Sequence, residues 1–371
     1  MSAGLGIYVH WPYCARICPY CDFNVYRDRG EERAALLDAI LADMRAHAGR
    51  MGPRRADTLF LGGGTPSLLA PDDVARLIAM AREAFALSPD GEVTLEANPE
   101  DSARFADFVA AGVNRLSLGV QSLDDEALKA LGRAHDAASA RAAVEAAAQT
   151  GARVSLDFIY ARAGQTLDAW RAELGEALRL PAEHFSLYEL NIKPGTAFER
   201  AVWRGALKPP NDDLAADFYE TTQDICEAAG LPAYEISNHA RTPAAQSRHN
   251  LIYWRGGEWL GLGPGAHGRV EIGGERLATK AADRPEAYIA SVGASGVGWE
   301  AADALAREEI ARERIIMGLR AAEGIARETP GIDAAKVAAL AEAGLIVVAD
   351  RIALTRAGRL LADRIAVELA S

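Results

Sequence analysis

The segment HWPYCARICPYCDFN, residues 10–24, decides the fold class because it places three cysteines within eight positions. Cys14, Cys18 and Cys21 are separated by three and then by two residues. Iron–sulfur clusters are usually held by four cysteine thiolates. A cluster held by these three cysteines has one iron without a protein ligand, to which a small molecule can bind. The spacing therefore predicts an open iron–sulfur cluster.

A structural zinc site and a disulfide are the alternatives to an open cluster. Zinc sites are closed and four-coordinate, and they usually combine two separated Cys/His pairs. Here the other ligand candidates are His10, close to Cys14, and the distant Cys226. Three cysteines cannot fully pair as disulfides, and nothing in the sequence indicates export. The open cluster is favoured over zinc, and Cys226 is interpreted as a buried core residue.

Length, composition and charge indicate an intracellular globular protein. The chain has 371 residues, 50% hydrophobic and 25% charged, enough for one large domain and a small one. The net charge of −12 disfavours a surface for nucleic acid. The N-terminus lacks the basic and apolar regions of a signal peptide, and no run reaches the ~20 apolar residues of a membrane span. We expect a cytoplasmic protein, because a reducing compartment preserves an oxygen-sensitive cluster.

Short strand-like runs alternate with Ala- and Leu-rich helical stretches, which is typical of a parallel α/β fold. Strands are predicted at Gly6–Trp11, Thr58–Leu61, Val93–Glu96, Arg115–Val120, Arg153–Tyr160 and His184–Leu190. Helices are predicted at Arg33–Ala48, Asp72–Phe85, Ser102–Ala111, Ala137–Thr150 and Leu167–Leu180, followed by a helix at Asn211–Gly230 and a short strand at Tyr234–Ser237. Six β/α units are too few for a complete barrel, so the prediction is a partial (β/α)6 barrel.

Distinctive residues follow the carboxyl ends of the predicted strands, where the chemistry of such barrels gathers. The cysteine segment follows the first strand, and Gly62-Gly-Gly-Thr-Pro-Ser67 follows the second. Glu96 ends the third strand, Gln121 follows the fourth, and Asp157 lies towards the end of the fifth. The sequence therefore predicts one site at one face of the barrel.

The chain is predicted to divide into a barrel domain at 1–270, an irregular linker at 271–300 and a C-terminal domain at 301–371. The linker prediction rests on lost periodicity and several glycines. The last segment reads helix, helix, strand, strand, helix, which resembles a winged helix, with elements at Arg307–Arg320, Asp333–Ala343, Leu345–Val348, Ile352–Thr355 and Arg356–Leu369. Its candidate recognition helix has Lys336 as its basic residue, so packing or protein contact is favoured over DNA binding.

The cysteine motif, the Gly-Gly-Gly-Thr-Pro segment and the polar strand ends together resemble the radical S-adenosylmethionine superfamily. Within it, the sequence is similar to the oxygen-independent coproporphyrinogen III oxidase group, and most similar to the haem chaperone branch, HemW. The resemblance implies a [4Fe-4S] cluster held by Cys14, Cys18 and Cys21, with S-adenosylmethionine on the open iron. The reduced cluster would cleave the sulfonium to methionine and a 5′-deoxyadenosyl radical, so the cofactor supplies the chemistry.

The resemblance also implies which residues bind S-adenosylmethionine. The backbone of Gly63, Gly64 and Thr65 would approach the methionine moiety, and Glu96 would balance its ammonium group. The other implied pocket residues are Tyr8, Tyr20, Gln121, Arg133 and Asp157. Of these, Tyr20 would pack on the adenine, Gln121 and Asp157 suit hydroxyl groups, and Arg133 suits a carboxylate.

Two departures favour the haem chaperone branch over the oxidase. Oxidase-type sequences carry a fourth cysteine two places after the third, where this chain has Phe23. They also carry an N-terminal extension, for which the position of Cys14 leaves no room. A third departure is Ala161-Arg-Ala-Gly-Gln165, where family members usually have Gly-Leu-Pro-Gly-Gln. The loop beside Asp157 is therefore predicted to differ modestly.

The segment His249-Asn-Leu-Ile-Tyr-Trp254 matches the His-Asn-x-x-Tyr-Trp motif that the haem chaperone branch associates with haem. His249 would offer an imidazole to the haem iron. Tyr253 and Trp254 would provide flat apolar surface with polar tips, and Asn250 belongs to the same implied site. Without the resemblance, an aromatic core cluster with a hydrogen-bonded histidine is the favoured interpretation.

The resemblance implies a cytoplasmic haem chaperone that delivers haem to respiratory membrane proteins. It implies a haem donor, an electron donor and a possible homodimer as partners, with no nucleic acid and no membrane span. The alternative is an oxygen-independent coproporphyrinogen III oxidase of porphyrin biosynthesis, which decarboxylates two propionates to give protoporphyrinogen IX. A zinc-stapled interaction protein is the third possibility, and whether the chain is an enzyme stays open.

Overall fold

A large mixed sheet with packed helices forms most of the computed structural model, which describes residues 4–370. The strands are β1 (Leu5–Trp11), β2 (Tyr13–Cys14), β3 (Tyr26–Arg27), β4 (Thr58–Gly63), β5 (Glu92–Ala97), β6 (Arg115–Gln121), β7 (Arg153–Tyr160), β8 (His184–Glu189), β9 (Asn238–Ala240), β10 (Glu258–Leu262), β11 (His267–Ile272), β12 (Glu275–Ala281), β13 (Trp299–Ala304), β14 (Ile325–Ala326), β15 (Ile346–Val348) and β16 (Arg351–Leu354).

The helices follow the alternation that the sequence predicts. They are α1 (Arg33–Met51), α2 (Pro71–Phe85), α3 (Phe105–Ala110), α4 (Asp125–Ala130), α5 (Ala137–Gln149), α6 (Leu167–Ala177), α7 (Ala197–Trp203), α8 (Asp212–Ala228), α9 (Arg248–Trp254), α10 (Pro285–Ser295), α11 (Arg307–Gly318), α12 (Ala334–Glu342), α13 (Arg356–Arg359) and α14 (Ala362–Leu369). Short 3₁₀ turns lie at Pro66–Leu68, Pro99–Arg104 and Pro243–Ala245.

The prediction of a partial (β/α)6 barrel is confirmed. The large sheet has the order β13-β12-β11-β10-β1-β4-β5-β6-β7-β8-β9, in which β1, β4, β5, β6, β7 and β8 are parallel neighbours. The six predicted strands lie where the sequence places them. The sheet extends further than predicted, because β10 pairs in parallel with β1, while β9 and β11–β13 add antiparallel edges.

The two faces of β1 and β4 have different partners because successive side chains of a strand point to opposite sides. Ile7 and Val9 face the core that the outer helices cover. Tyr8 and Phe60 face the other side, where they meet α9 through the ring of His249. Helix α9 therefore occupies the inner side of the open barrel.

Residues 271–300 are not irregular, so that part of the domain prediction is wrong. They contain all of β12 and all of α10, and Tyr288 of α10 is fully buried in the barrel core. The glycines Gly273 and Gly274, with φ of 62° and 85°, form the two-residue turn between β11 and β12. Two consecutive residues with positive φ are typical of a tight hairpin turn. Because an irregular loop can contain the same two glycines, the sequence alone did not distinguish a hairpin from a linker.

The strand predicted at Tyr234–Ser237 is also wrong, and the neighbouring strand begins at Asn238. The carboxylate of Glu235 accepts hydrogen bonds from the backbone N–H of Ser237 at 3.0 Å and from the side chain of Asn238 at 2.5 Å. Such local bonds favour a turn over an extended ladder.

The C-terminal segment has its own small core and follows the winged-helix-like order. Strands β14, β16 and β15 form a separate sheet. Its helices and strands enclose a second cluster of apolar side chains, which includes Ile315, Leu340, Ile352 and Leu369. The sequence missed β14 and predicted α13 and α14 as one helix. The segment docks on the barrel, where Ala322 N–H donates to the Tyr234 carbonyl at 2.9 Å.

Candidate functional site

A cavity of about 690 Å³ lies at the carboxyl ends of the parallel strands, where the sequence places the site. It is lined by all but two of the predicted site residues, namely Cys14, Cys18, Tyr20, Cys21, Gly63, Gly64, Thr65, Glu96, Gln121, Arg133, Asp157, Asn250, Tyr253 and Trp254. The structure therefore brings both predicted ligand sites into one cavity. The two exceptions, Tyr8 and His249, lie behind its wall.

The cysteine loop leaves β1 and closes one side of the cavity. Its base is the short parallel pair β2–β3, which joins Cys14 to Arg27. Burial raises the pKa of Cys14 to about 11 and also raises the pKa of Cys21. The thiols of Cys14 and Cys21 are therefore neutral at pH 7, and a bound metal would favour their thiolate forms. Within residues 4–370, no three His, Cys, Asp or Glu side chains are spaced to hold a single metal ion.

Two glycines at the end of β4 are required by the cysteine loop itself. Gly63 has φ of 108°, and a Cβ there would lie 2.6 Å from the ring of His10. A Cβ on Gly64 would lie 2.7 Å from the carbonyl oxygen of Tyr13 and 2.9 Å from the backbone of Pro12. The Gly64 N–H donates to the Trp11 carbonyl at 2.7 Å. Position 64 therefore requires glycine because its backbone packs closely against the segment that carries Cys14. Any approach of this backbone to a ligand would be a second reason.

Two carboxyl groups from neighbouring strand ends face the cavity. Glu96 accepts a hydrogen bond from the Gly63 N–H at 3.0 Å. Burial, with repulsion from Asp157, raises the pKa of Glu96 to about 8. Burial raises the pKa of Asp157 to about 6, although hydrogen bonds from Ser186 and Ser117 act in the opposite direction. Glu96 is therefore mostly protonated at neutral pH, and a cationic ligand would favour its ionised form.

Arg133 links the strand ends to the cysteine loop. Its Nη2 donates to the side chain of Asn98 and to the Gly119 carbonyl at 3.0 Å, while Nη1 lies 3.5 Å from the Cys18 sulfur. These bonds fix the guanidinium in the cavity wall beside the cysteines. Its nitrogen Nε is buried and has no hydrogen-bond partner among residues 4–370, so one donor of Arg133 is left unsatisfied beside the cavity.

Two residues at strand ends adopt left-handed backbone conformations. Gln121, with φ of 65°, lies at a register shift between β6 and β7 that turns its side chain into the cavity wall. Ala161 has φ of 55° and is fully buried directly after β7. The family resemblance implies glycine at this position, and glycine adopts this conformation without cost, so alanine here adds local strain.

Tyr8 supports the cysteine loop and lies outside the cavity lining, and its predicted contact with S-adenosylmethionine stays a prediction. Its hydroxyl bonds to His10 Nδ1 at 3.0 Å, and His10 Nε2 bonds to the Asn24 carbonyl at 2.8 Å. These two bonds connect the middle of β1 to the end of the loop that carries the cysteines. Tyr8 therefore helps to position the loop that carries the cysteines.

His249 is buried, with both ring nitrogens engaged, and its predicted contact with haem iron stays a prediction. Nδ1 lies 2.6 Å from the Thr58 hydroxyl, and Nε2 lies 2.6 Å from the Tyr253 hydroxyl. The ring stacks on Phe60 with centroids 5.1 Å apart. Burial lowers its pKa to about 4, so the imidazole is neutral. Of the four motif residues assigned to haem, Asn250, Tyr253 and Trp254 reach the cavity.

Helix α9 is held by a buried carboxylate at its N-terminus. Glu92 of β5 accepts hydrogen bonds from the backbone N–H groups of His249 at 2.9 Å and of Arg248 at 3.1 Å. Arg153 donates to the same carboxylate at 2.9 Å. A negative charge at a helix N-terminus is favourable, and here it fixes the helix that carries the motif.

The cavity also contains residues that the sequence did not single out. They are Asn98, Tyr188, Glu189, Lys193, Glu235 and Arg320. Lys193 follows the carboxyl end of β8, so the strand-end pattern could have indicated it. Arg320 comes from the C-terminal segment, and its guanidinium lies 5.5 Å from the ring centroid of Trp254. No local sequence signal predicts that contact, because the two residues are brought together by the docking of two separate units.

Comparisons with known proteins agree with this fold and site. A profile of the Radical SAM superfamily matches residues 8–174. The mitochondrial radical S-adenosyl methionine domain-containing protein 1 of Bos taurus is 41% identical over 334 residues, which cover 88% of this chain and 75% of that protein. The chain therefore belongs to the radical SAM superfamily.

Within the superfamily, sequence similarity places the chain in a narrower family. The heme chaperone HemW of Mycobacterium tuberculosis is 39% identical over 372 residues, which cover 97% of this chain and 93% of that protein. The chain therefore belongs to the HemW family. The structure of the coproporphyrinogen III oxidase HemN from Escherichia coli, a radical SAM enzyme, matches with a TM-score of 0.84 at 24% identity, covering 99% of this chain and 90% of that one. That likeness supports the fold.

One further property of the helices concerns their ability to span a membrane. In the described part of the chain, none of them combines the length and the apolar character that crossing a bilayer requires.

Proposed function

We propose that this protein binds haem in the cavity at the strand ends and passes it to proteins that need it. The observation that carries the proposal is the match to a haem chaperone along 97% of the chain, together with a cavity wall that contains three residues of the α9 motif. Tyr253 and Trp254 offer aromatic surface to a macrocycle. Lys193 and Arg320 place two cations in the same cavity, where they would pair with propionates.

Membership of the superfamily implies a [4Fe-4S] cluster and S-adenosylmethionine, and the residues present fit both. The three cysteines line the same cavity, and Nε of Arg133 is buried there with no hydrogen-bond partner in the described part of the chain. In our proposal Cys14, Cys18 and Cys21 hold the cluster, which would supply one-electron cleavage of the sulfonium when both groups are bound. Glu96 holds the ammonium group of S-adenosylmethionine, and Gln121 and Asp157 face its hydroxyl groups.

The proposed partners follow from carrying haem. Respiratory membrane proteins would receive the haem, a separate protein would donate it, and a one-electron donor would reduce the cluster. We place the protein in the cytoplasm, where reducing conditions protect such a cluster, and a homodimer belongs to the same proposal. The net charge of −12 opposes a nucleic-acid partner.

Titration with haem tests this function. Protein prepared without air should show a saturable spectral change with one haem per chain. Trp254→Ala should weaken haem binding about tenfold, the effect of losing one aromatic contact. Trp203, which is 75% exposed and lies outside the cavity, offers the matched control, and Trp203→Ala should bind as the parent does. A spectral change that does not saturate would overturn the proposal.

The oxidase alternative has less support. The likeness to HemN, at 24% identity, concerns the fold, and position 23 holds a phenylalanine that is 63% exposed. Incubation with coproporphyrinogen III, S-adenosylmethionine and a reductant discriminates between the two functions. We expect the substrate to remain unchanged, whereas protoporphyrinogen IX would establish the oxidase.

A further inference from the structure

One carboxylate on helix α6 is bonded to the ends of two neighbouring barrel strands. Glu173 lies in α6, and its side chain is only 8% exposed. Its Oε1 accepts hydrogen bonds from the Ser122 hydroxyl at 2.5 Å and from the Leu123 N–H at 2.8 Å. Both donors come directly after β6. The carboxylate therefore ties the end of β6 to the helix that follows β7 in the chain.

The other oxygen of the same carboxylate holds the loop after β7. Oε2 of Glu173 accepts hydrogen bonds from Arg162 Nη2 at 2.5 Å and from Gln165 Nε2 at 3.3 Å. Arg162 Nη1 lies 3.3 Å from Oε1 and also donates to the Ile159 carbonyl at 3.0 Å. A buried ion pair is favourable where further hydrogen bonds satisfy its atoms, as they do here. Ile159 lines the cavity, so this set of bonds extends from α6 to the site.

The two strand ends that Glu173 joins both contain a residue with an unfavourable backbone conformation. Gln121, the last residue of β6, has φ of 65°, and Ala161, the first residue after β7, has φ of 55°. A residue with a Cβ loses free energy in this left-handed region, and the conformation persists only where the surroundings fix it. Glu173 bonds to the next residue in each case, Ser122 and Arg162. These bonds therefore stabilise the conformation in which Gln121 lines the cavity.

We propose that Glu173 is a positioning residue for the S-adenosylmethionine site, acting on Gln121 and on the end of β7. The proposal rests on the assignment of Gln121 and Asp157 to this ligand, made above. Glu173 is not among the residues that line the cavity, so it acts through the two loops. A carboxylate suits this role because both of its oxygens accept hydrogen bonds. The amide of a glutamine has one acceptor oxygen and would turn its NH2 group towards the donors of one loop.

Binding of S-adenosylmethionine to the cluster-containing protein, measured by calorimetry without a reductant, tests the proposal. Glu173→Gln keeps the size of the side chain and removes one of its two acceptors. We expect the affinity to fall about tenfold, the effect of misaligning one hydrogen bond to the ligand. Amide hydrogen exchange at residues 122–124 and 162–165 should become faster in the same variant, since both loops lose contacts.

Two control variants in α6 separate positioning from general stability. Leu174 is fully buried in the barrel core, so Leu174→Ala should lower stability by leaving a cavity and should keep the affinity for the ligand. Asp168 forms an exposed ion pair with Arg171, and Asp168→Asn should change neither property. An equal loss of affinity in Leu174→Ala and Glu173→Gln would show that Glu173 acts through stability alone and would overturn the proposal.

Ser122→Ala provides a milder test that does not depend on the folding of Glu173→Gln. It removes one hydrogen bond to Glu173 at the end of β6 and leaves the ion pair with Arg162 in place. We expect the affinity for S-adenosylmethionine to fall about threefold. Unchanged affinity in Ser122→Ala and in folded Glu173→Gln would refute the positioning role. If the parent protein does not bind S-adenosylmethionine, the proposed site itself fails.

Discussion

The raised pKa of Glu96 makes binding of S-adenosylmethionine depend on pH. The carboxyl group has a pKa of about 8, because burial and the nearby Asp157 disfavour its charge. The ammonium group of the ligand requires the ionised form. Binding should therefore release a proton from Glu96 at pH values below about 8, and the affinity should fall as the pH falls.

The size of the effect follows from the pKa. At pH 7 about 0.9 of the Glu96 side chains carry a proton, so binding should release about 0.9 proton per molecule of ligand. The affinity should fall about tenfold for each pH unit below 8, which corresponds to about 1.4 kcal/mol. Above pH 8 this contribution to the affinity should become constant.

Isothermal titration calorimetry in buffers of different ionisation enthalpy measures this release. The experiment uses the cluster-containing protein without a reductant, so that the ligand stays intact. Glu96→Gln should abolish the release and remove the pH dependence. Glu189→Gln alters another carboxyl group of the same cavity and should keep the release. A proton release near zero at pH 7 in the parent protein, with an affinity that does not change with pH, would refute the reasoning.

Three further predictions concern stability. Gly64→Ala should lower the free energy of unfolding by about 2 kcal/mol and reduce the iron content, because its Cβ would press on the cysteine segment. The control is Gly175→Ala in α6, where a Cβ meets open space. It should be neutral or stabilise the protein by up to about 1 kcal/mol. Glu92→Gln should cost about 2 kcal/mol in urea unfolding, since the charge that holds α9 is lost, and an unchanged midpoint would count against its role. Ala161→Gly should raise the free energy of unfolding by about 1 kcal/mol by relieving the left-handed alanine, and a lower value would show that no strain exists there.

The sequence predicts the barrel well because its signals are local. The parallel strands are short runs rich in strand-forming residues, as in Arg115–Gln121, where Leu116, Leu118 and Val120 alternate with polar or small residues. In such barrels the functional residues lie at the carboxyl ends of the strands. This places the cysteines, Glu96, Gln121 and Asp157 at one edge without knowledge of the tertiary structure. The position of the site is therefore readable from the strand-end pattern, whereas Tyr20, Arg133 and the haem motif of α9 come only from the family resemblance.

The sequence fails where two patterns share the same residues or where distant units meet. Gly273-Gly274 indicates a loop and a hairpin turn equally well, and only strand pairing decides between them. A helix places His249 and Tyr253 on one side, but which of them faces the cavity depends on how α9 packs against β4. Arg320 reaches Trp254 only because the C-terminal segment docks on the barrel, and no local pattern contains that contact.

Transfer of haem from the loaded protein to a haem-free acceptor tests the central claim most directly. The haem-loaded, cluster-containing protein is mixed without air with an apo-haem protein, and the transfer is followed by absorption. We expect one haem per chain to leave chemically unchanged, with mass spectrometry showing an intact macrocycle and propionates. Haem that stays bound despite an acceptor of higher affinity, or that emerges altered, would contradict the account of this protein as a carrier.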